Sequence, residues 1–188
     1  MASLITALGG PEAYVSRLSF MHNNNLVYIG DEQAFLSVFQ FHYGGRPALS
    51  AERSHSYIPS QFNNTEAGLA GNDDSGAMGS YIALSMMGLW PVPGQNVYLI
   101  TPPFFQEVNI TNGFTGNVAT VRNINFDSSY NAIYIQSATL NGKSFTQNWI
   151  THDFYTEGGV LELVLGDTES SWGTAVTDLP PSLTSYQS

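Results

Sequence analysis

The hydrophobic period changes once along this chain, and the change falls at Pro91-Val92-Pro93-Gly94. Before that stretch apolar residues recur three and four apart; after it they alternate. A core-facing helix and a half-buried strand need those two different periods, so the pattern predicts an α part followed by a β part, an α+β chain. Tyr14, Leu18 and Met21 predict a helix closed by Asn23-Asn24-Asn25. Phe35, Val38, Phe39 and His42 predict a second, with Asp31 or Glu32 in its first turn. Pro47 suits the first position of a third, which carries Leu49, Arg53 and Tyr57. A fourth is expected from about Asp74 to Met87, with Gly88 near its end. Gly76 and Gly79 lower helix propensity there, so packing has to hold it.

Short strands are expected at 97–100, 108–110, 119–122, 132–136 and 160–165, separated by Gly, Asn and Pro clusters. Leu140-Asn141-Gly142-Lys143 is a hairpin-turn signal. The pattern divides the chain into a helical part over 1–92, a β-rich part over 93–178 that is mostly antiparallel, and a polar tail over 179–188. Four helices enclose little by themselves. Phe35, Phe39, Phe41, Tyr43 and Trp90 would leave apolar faces uncovered unless more helices pack on them, and the chain is therefore expected to be part of something longer.

Charge narrows the partners. Five basic against fifteen acidic side chains give a formal net charge of −10. Such a chain cannot neutralise a phosphate backbone, and it is unsuited to an anionic membrane surface. Nucleic acid and membrane are excluded as partners, which leaves neutral polyols and cations. The absence of cysteine removes disulfides, thiolate metal sites and cysteine nucleophiles together. Residues 1–10 carry no basic leader segment. Two sequons, Asn63-Asn64-Thr65 and Asn109-Ile110-Thr111, would accept glycans on a secretory route.

The densest polar constellation is Gly68-Leu69-Ala70-Gly71-Asn72-Asp73-Asp74-Ser75-Gly76. Adjacent carboxylates at the mouth of a helix have two readings. One is a helix cap, in which Asp73 or Asp74 accepts from free backbone N–H groups. The other is a catalytic carboxylate; charge at a helix N-terminus favours its ionised form, which suits a general base. The twelve-residue oxygen spacing of an EF-hand is absent. His22, His42, His55 and His152 show no metal-ligand spacing and read as structural, and Trp90, between Leu89 and Pro91, reads as core.

Residues 71–78, followed by Met86-Met87-Gly88-Leu89-Trp90-Pro91, resemble the signature of glycoside hydrolase family 92, the calcium-dependent exo-acting α-mannosidases. Gly30-Asp31-Glu32 is similar to the family's Gly-Asn-Glu-Pro stretch, and His42-Tyr43-Gly44-Gly45-Arg46-Pro47 to its Tyr-Ala-Gly-X-Pro stretch. Leu99 to Phe104, Tyr134-Ile135-Gln136, Leu140-Asn141-Gly142, Gly166 and Trp172-Gly173 extend the match, but only to the family's C-terminal end.

That resemblance implies that the helices are the last of an (α/α)6 barrel, followed by an antiparallel β-rich region. It implies an inverting glycosidase, in which one carboxylic acid protonates the leaving oxygen and another carboxylate activates water. Asp74 matches the general base and Asp73 the middle residue of the acidic box; Asn72 stands where some members carry a first Asp and is expected at the substrate, as is Arg46. Without the resemblance, Arg46 would pair with Asp31 or contact a sugar hydroxyl. Glu32 matches a residue that helps hold Ca2+, a hard cation able to bind sugar hydroxyls and draw a mannose ring toward its transition-state shape. The general acid has no counterpart in these residues and is expected on a missing N-terminal part of the same enzyme. Glu12, Glu52 and Glu66 read as surface charge. Expected partners are mannose-containing glycans, as terminal α-mannosides of N-glycans or mannans, and the expected route for the whole enzyme is secretory. The competing readings are a non-catalytic carbohydrate- or calcium-binding fragment, and a structural domain whose Asp73-Asp74 is only a helix cap.

Overall fold

The computed structural model describes residues 1–184, so the end of the expected polar tail, 185–188, lies outside the described residues. The part of the tail that is described is tied down: Ser182 Oγ accepts hydrogen bonds from the backbone nitrogens of Met1 and Ala2, both at 3.1 Å.

Five α-helices come first: α1 (Ala2–Ala7), α2 (Pro11–Asn23), α3 (Phe35–Phe39), α4 (Pro47–Gln61) and α5 (Ala77–Met87). Pro11 and Pro47 open α2 and α4, where a missing N–H leaves nothing unsatisfied. The helix expected over 35–42 is instead a short α segment between two 3-10 turns, Glu32–Ala34 and Gln40–Gly44. Phe35, Val38, Phe39, Phe41, His42 and Tyr43 are all buried, so this segment has no polar face for a regular helical period to spare. The fourth expected helix starts late. Asp74–Gly76 is a 3-10 turn in which Ser75 and Gly76 are both left-handed, and α5 begins after them. Gly88 closes α5 at φ 76°, where a Cβ would lie 2.3 Å from the Thr101 carbonyl oxygen, so both the turn and the close approach require glycine.

Eight strands follow: β1 (Leu89–Pro91), β2 (Tyr98–Ile100), β3 (Glu107–Thr111), β4 (Val118–Ile124), β5 (Tyr134–Leu140), β6 (Lys143–Ser144), β7 (Trp149–Ile150) and β8 (Val160–Gly166). They form a three-stranded sheet in the order β1-β2-β7 and a five-stranded sheet in the order β3-β4-β8-β5-β6. The Pro-Gly stretch is the turn of the β1–β2 hairpin: Gln95 N–H donates to the Val92 carbonyl, with Gly94 at φ 73°. The Asn141-Gly142 turn joins β5 to β6 as expected, with both residues left-handed. The expectation of mostly antiparallel pairing needs one correction: β4 and β8 are parallel, with Thr120 opposite Val160. The residues between them reach β8 by way of β5 and a π-helical turn at Phe154–Gly158, which supplies the crossover a parallel pair needs.

The small sheet divides two cores. Trp90 and Leu99, with Trp149 packed alongside, face the helices, while their neighbours Leu89, Ile100 and Ile150 face the five-stranded sheet. Period-two alternation therefore gives each layer its own half of the same three strands. This also corrects the expectation of uncovered aromatic faces. Phe35, Phe39, Phe41, Tyr43 and Trp90 are all buried within the chain. The Phe39 ring stacks on Trp90 at 4.7 Å and the Phe35 ring on Tyr81 at 4.5 Å. The large apolar side chains left exposed on the helical side are others, Leu4, Leu8, Phe20 and Leu26 among them.

Candidate active site

Two loops of the helical part meet. One runs from Ile29 into the turn at Glu32–Ala34; the other spans the residues between α4 and α5. Gly71 fixes their contact. Its φ is +64°, and a Cβ there would fall 2.1 Å from the Gly30 carbonyl oxygen and 2.6 Å from Gly30 Cα. A side chain at Gly71 does not fit at this crossing. The contact sets Gly30, which precedes Asp31-Glu32, against Gly71, which precedes Asn72-Asp73-Asp74, an approach that sequence spacing alone does not reveal. Among the described residues no hydrogen bond or three-carboxylate group joins the two segments.

The three residues of the acidic box are used differently. Asp73 Oδ1 accepts a hydrogen bond from the Met78 N–H at 2.9 Å and so caps the start of α5. Asp74 follows, exposed, at the head of a turn whose next residue, Ser75, sits at φ 59°, and its carboxylate makes no hydrogen bond among the described residues. Asn72 is exposed beside it. Across the loop contact, Glu32 is half-buried, and its Oε1 is fully buried with no hydrogen-bond partner among the described residues. A carboxylate oxygen in that state is incompletely satisfied, and a cation or a donor from a ligand would satisfy it. The ion pairs lie elsewhere, at Arg46 and Arg122, so this pole is acidic and uncompensated among the described residues.

Arg46 is not brought to the box. Its Nη2 donates to both carboxylate oxygens of Glu169, at 2.9 and 2.7 Å, rather than pairing with Asp31. Arg46 precedes the first residue of α4, and the second loop leaves its last turn. At about 1.5 Å per residue, the fifteen-residue helix spans roughly 22 Å between them. The histidines are structural. His42 Nε2 donates to the Ile100 carbonyl at 2.8 Å across the helix–sheet boundary, and Nδ1 lies 2.9 Å from Ser50 Oγ. Burial lowers its pKa to about 4, against the carbonyl contacts of Ile100 and Phe39, which raise it. His55 donates from Nε2 to the Pro102 carbonyl at 3.0 Å and stacks on Phe104, and burial lowers it likewise to about 4.

Calcium takes about six to eight oxygen ligands. The described residues contain no group of three His, Asp or Glu side chains able to hold a metal ion. They fit a share of such a shell: the orphaned Glu32 oxygen is one hard ligand of the required kind.

Helices backed by two sheets are the fold this chain shares with solved glycosidases. A family 92 inverting mannosidase from Bacteroides thetaiotaomicron superposes with a TM-score of 0.80 at 25% identity, over 92% of this chain and 27% of that one. A second family 92 alpha-mannosidase from that organism matches in fold, with a TM-score of 0.85 at 22% identity, over 94% of this chain and 24% of that one. The model of the glycosyl hydrolase family 92 catalytic domain matches residues 1–167, and the chain belongs to that family. An uncharacterized secreted glycosidase of Arthroderma benhamiae is 60% identical over 97% of this chain. The chain spans about a quarter of the length of the relatives it matches: 24% of the Arthroderma protein.

Proposed function

We propose that these residues carry the general-base side of an inverting, calcium-dependent α-mannosidase acting on terminal α-mannosides of N-glycans or mannans. The observation that carries this reading is the division of labour in the acidic box: Asp73 is bound to the helix, and Asp74 beside it is free. Asp74 takes a proton from the water that attacks the anomeric carbon, while a carboxylic acid outside these residues protonates the leaving oxygen. Asn72 donates to a substrate hydroxyl. Glu32 Oε1 supplies one calcium ligand, and the bound ion would offer a hard cation to sugar hydroxyls. In this reading residues 1–92 belong to an (α/α)6 catalytic unit, 93–178 close it with strands, and the whole enzyme is secreted. Arg46 holds Glu169 and acts on substrate only if that pair opens.

The test is Asp74→Asn in the full-length enzyme. The amide keeps the shape but cannot accept the proton, so turnover falls about 10²–10⁴-fold with substrate affinity nearly unchanged. Near-normal turnover in that variant overturns the assignment. Glu32→Gln serves as a second arm, read without catalysis: the rise in Tm that calcium produces in the parent shrinks in the variant. An unchanged calcium response removes Glu32 from the shell. The cap observed at Asp73 favours a second reading, a structural domain whose Asp73-Asp74 is only a helix cap, and full loss of turnover in Asp74→Asn with an unchanged melting curve excludes it.

A further inference from the structure

The two sequons differ in what the fold has done with their asparagines. Asn109 lies on β3 with its Nδ2 donating to Glu107 Oε1 at 2.8 Å and its Oδ1 accepting from Thr120 Oγ1 at 2.7 Å. Both ends of that amide are in use, and its backbone is held in the ladder opposite Thr120. Asn63 lies in the loop after α4, exposed, with Oδ1 accepting from the Thr65 N–H at 3.1 Å and from the Thr65 hydroxyl at 2.6 Å. Its Nδ2 has no partner among the described residues.

We infer that Asn63 is an N-glycosylation site, taking an oligosaccharide on Nδ2 from a lipid-linked donor. The step forms the bond from Nδ2 to the sugar's anomeric carbon, breaks that carbon's bond to the donor's phosphate oxygen, and releases the amide proton. Acceptor recognition needs an asparagine and a hydroxyl two residues on. In the folded loop that hydroxyl contacts the amide oxygen and leaves Nδ2 without a partner among the described residues, able to carry the sugar. The loop beneath is closed on itself: Asn63 N–H donates to the Gly68 carbonyl and Gly68 N–H to the Thr65 carbonyl, both at 3.0 Å. A Cβ on Gly68 would fall 2.0 Å from the Asn63 carbonyl oxygen, so the turn stays compact while its outer side is left to solvent. A glycan on Nδ2 therefore displaces no hydrogen bond and no packed side chain. At Asn109 the same modification competes with the Glu107 carboxylate and crowds the face shared with Thr120 and Arg122.

The inference rests on the secretory reading proposed above, and the experiment separates the two. The full chain is produced behind a cleavable leader in a yeast, which puts it before the transferase whatever its native compartment. Peptide-N-glycosidase in heavy-oxygen water then marks each used asparagine as labelled aspartate. Endoproteinase Glu-C, cutting after Glu52, Glu66 and Glu107, isolates Asn63 from Asn109. Label is expected at Asn63, most of the chain carrying it, and Asn63→Gln and Thr65→Ala each remove it. Because transfer precedes folding, the readout survives a variant that fails to fold. An unlabelled Asn63 in material that reached the secretory route overturns the inference, as does label confined to Asn109. Absence of the native protein from the secretory route defeats the compartment reading alone.

Discussion

The boundary between helices and strands and the acidic pole are built on opposite terms. At the boundary, Leu99, Ile100, Val97 and His42 are almost wholly buried, and a buried ring answers a buried carbonyl. At the pole, residues 71–76 are exposed, Ser75 and Gly76 are left-handed, and Glu32 keeps a buried oxygen without a partner. The boundary also holds unpartnered polar atoms, Trp90 and Trp149 Nε1 and Thr101 Oγ1 among them, so what sets the pole apart is that its orphaned atom is a carboxylate oxygen and its turns are left-handed. Damage at the boundary should therefore cost the most stability, and damage at the pole less.

The largest expected effect lies at the boundary. Leu99 is fully buried between Trp90 and Trp149 in the small sheet, and Leu99→Ala leaves a cavity there. A loss of about 2–5 kcal/mol in urea unfolding is expected. A loss below about 1 kcal/mol would mean that the two cores are not joined through this strand.

Acid should act on the same region. His42 has its folded pKa near 4, below the ordinary 6.5, so the unfolded chain binds more protons between those values. Stability is therefore complete above about pH 6.5 and falls as the pH drops toward 4, by about 3 kcal/mol for this one ring. His55 moves in the same direction. Unfolding midpoints across that range check this. His42→Gln retains a donor for the Ile100 carbonyl and should flatten the slope, and a slope that survives in His42→Gln places the acid sensitivity elsewhere.

Gly71→Ala tests the pole. Its Cβ would meet the Gly30 carbonyl at 2.1 Å, and φ +64° is strained for alanine. A loss of roughly 1–3 kcal/mol is expected, with hydrogen exchange at the β2 amides unaltered in rank. An alanine variant as stable as its parent would show that the two loops do not touch.

What sequence could show follows the distance over which each contact acts. The Pro47 start of α4, the Gly88 cap and the Asn141-Gly142 turn are local, and the residues that cause them are adjacent. The parallel partner of β4 lies about forty residues on, and Arg46 finds Glu169 across 123 residues; neither has a local signal. Strand β1 was hidden because Trp90-Pro91 stands before a Pro-Gly turn and resembles a linker until its partner β2 is known. Both acidic segments were visible, each behind a glycine, but their meeting at Gly30 and Gly71 is a tertiary fact.

The smallest effect separates the two aspartates of the box. Asp73 accepts the Met78 N–H, and an amide oxygen accepts it equally well, so Asp73→Asn keeps the cap and loses only a charge near the start of α5. That charge is worth about 0.3–1 kcal/mol at an exposed helix end. Asp73→Ala removes the acceptor and costs about 1 kcal/mol, leaving the Met78 N–H without that partner. The comparison of the two substitutions thus isolates the cap from the charge, which neither does alone. If Asp73→Asn destabilises as much as Asp73→Ala, the ionised form holds the helix, and the pole is less separable from the fold than its exposure suggests. If Asp73→Asn leaves Tm in place but removes turnover in the full-length enzyme, the free carboxylate at Asp74 is not sufficient, and the general base belongs one residue earlier.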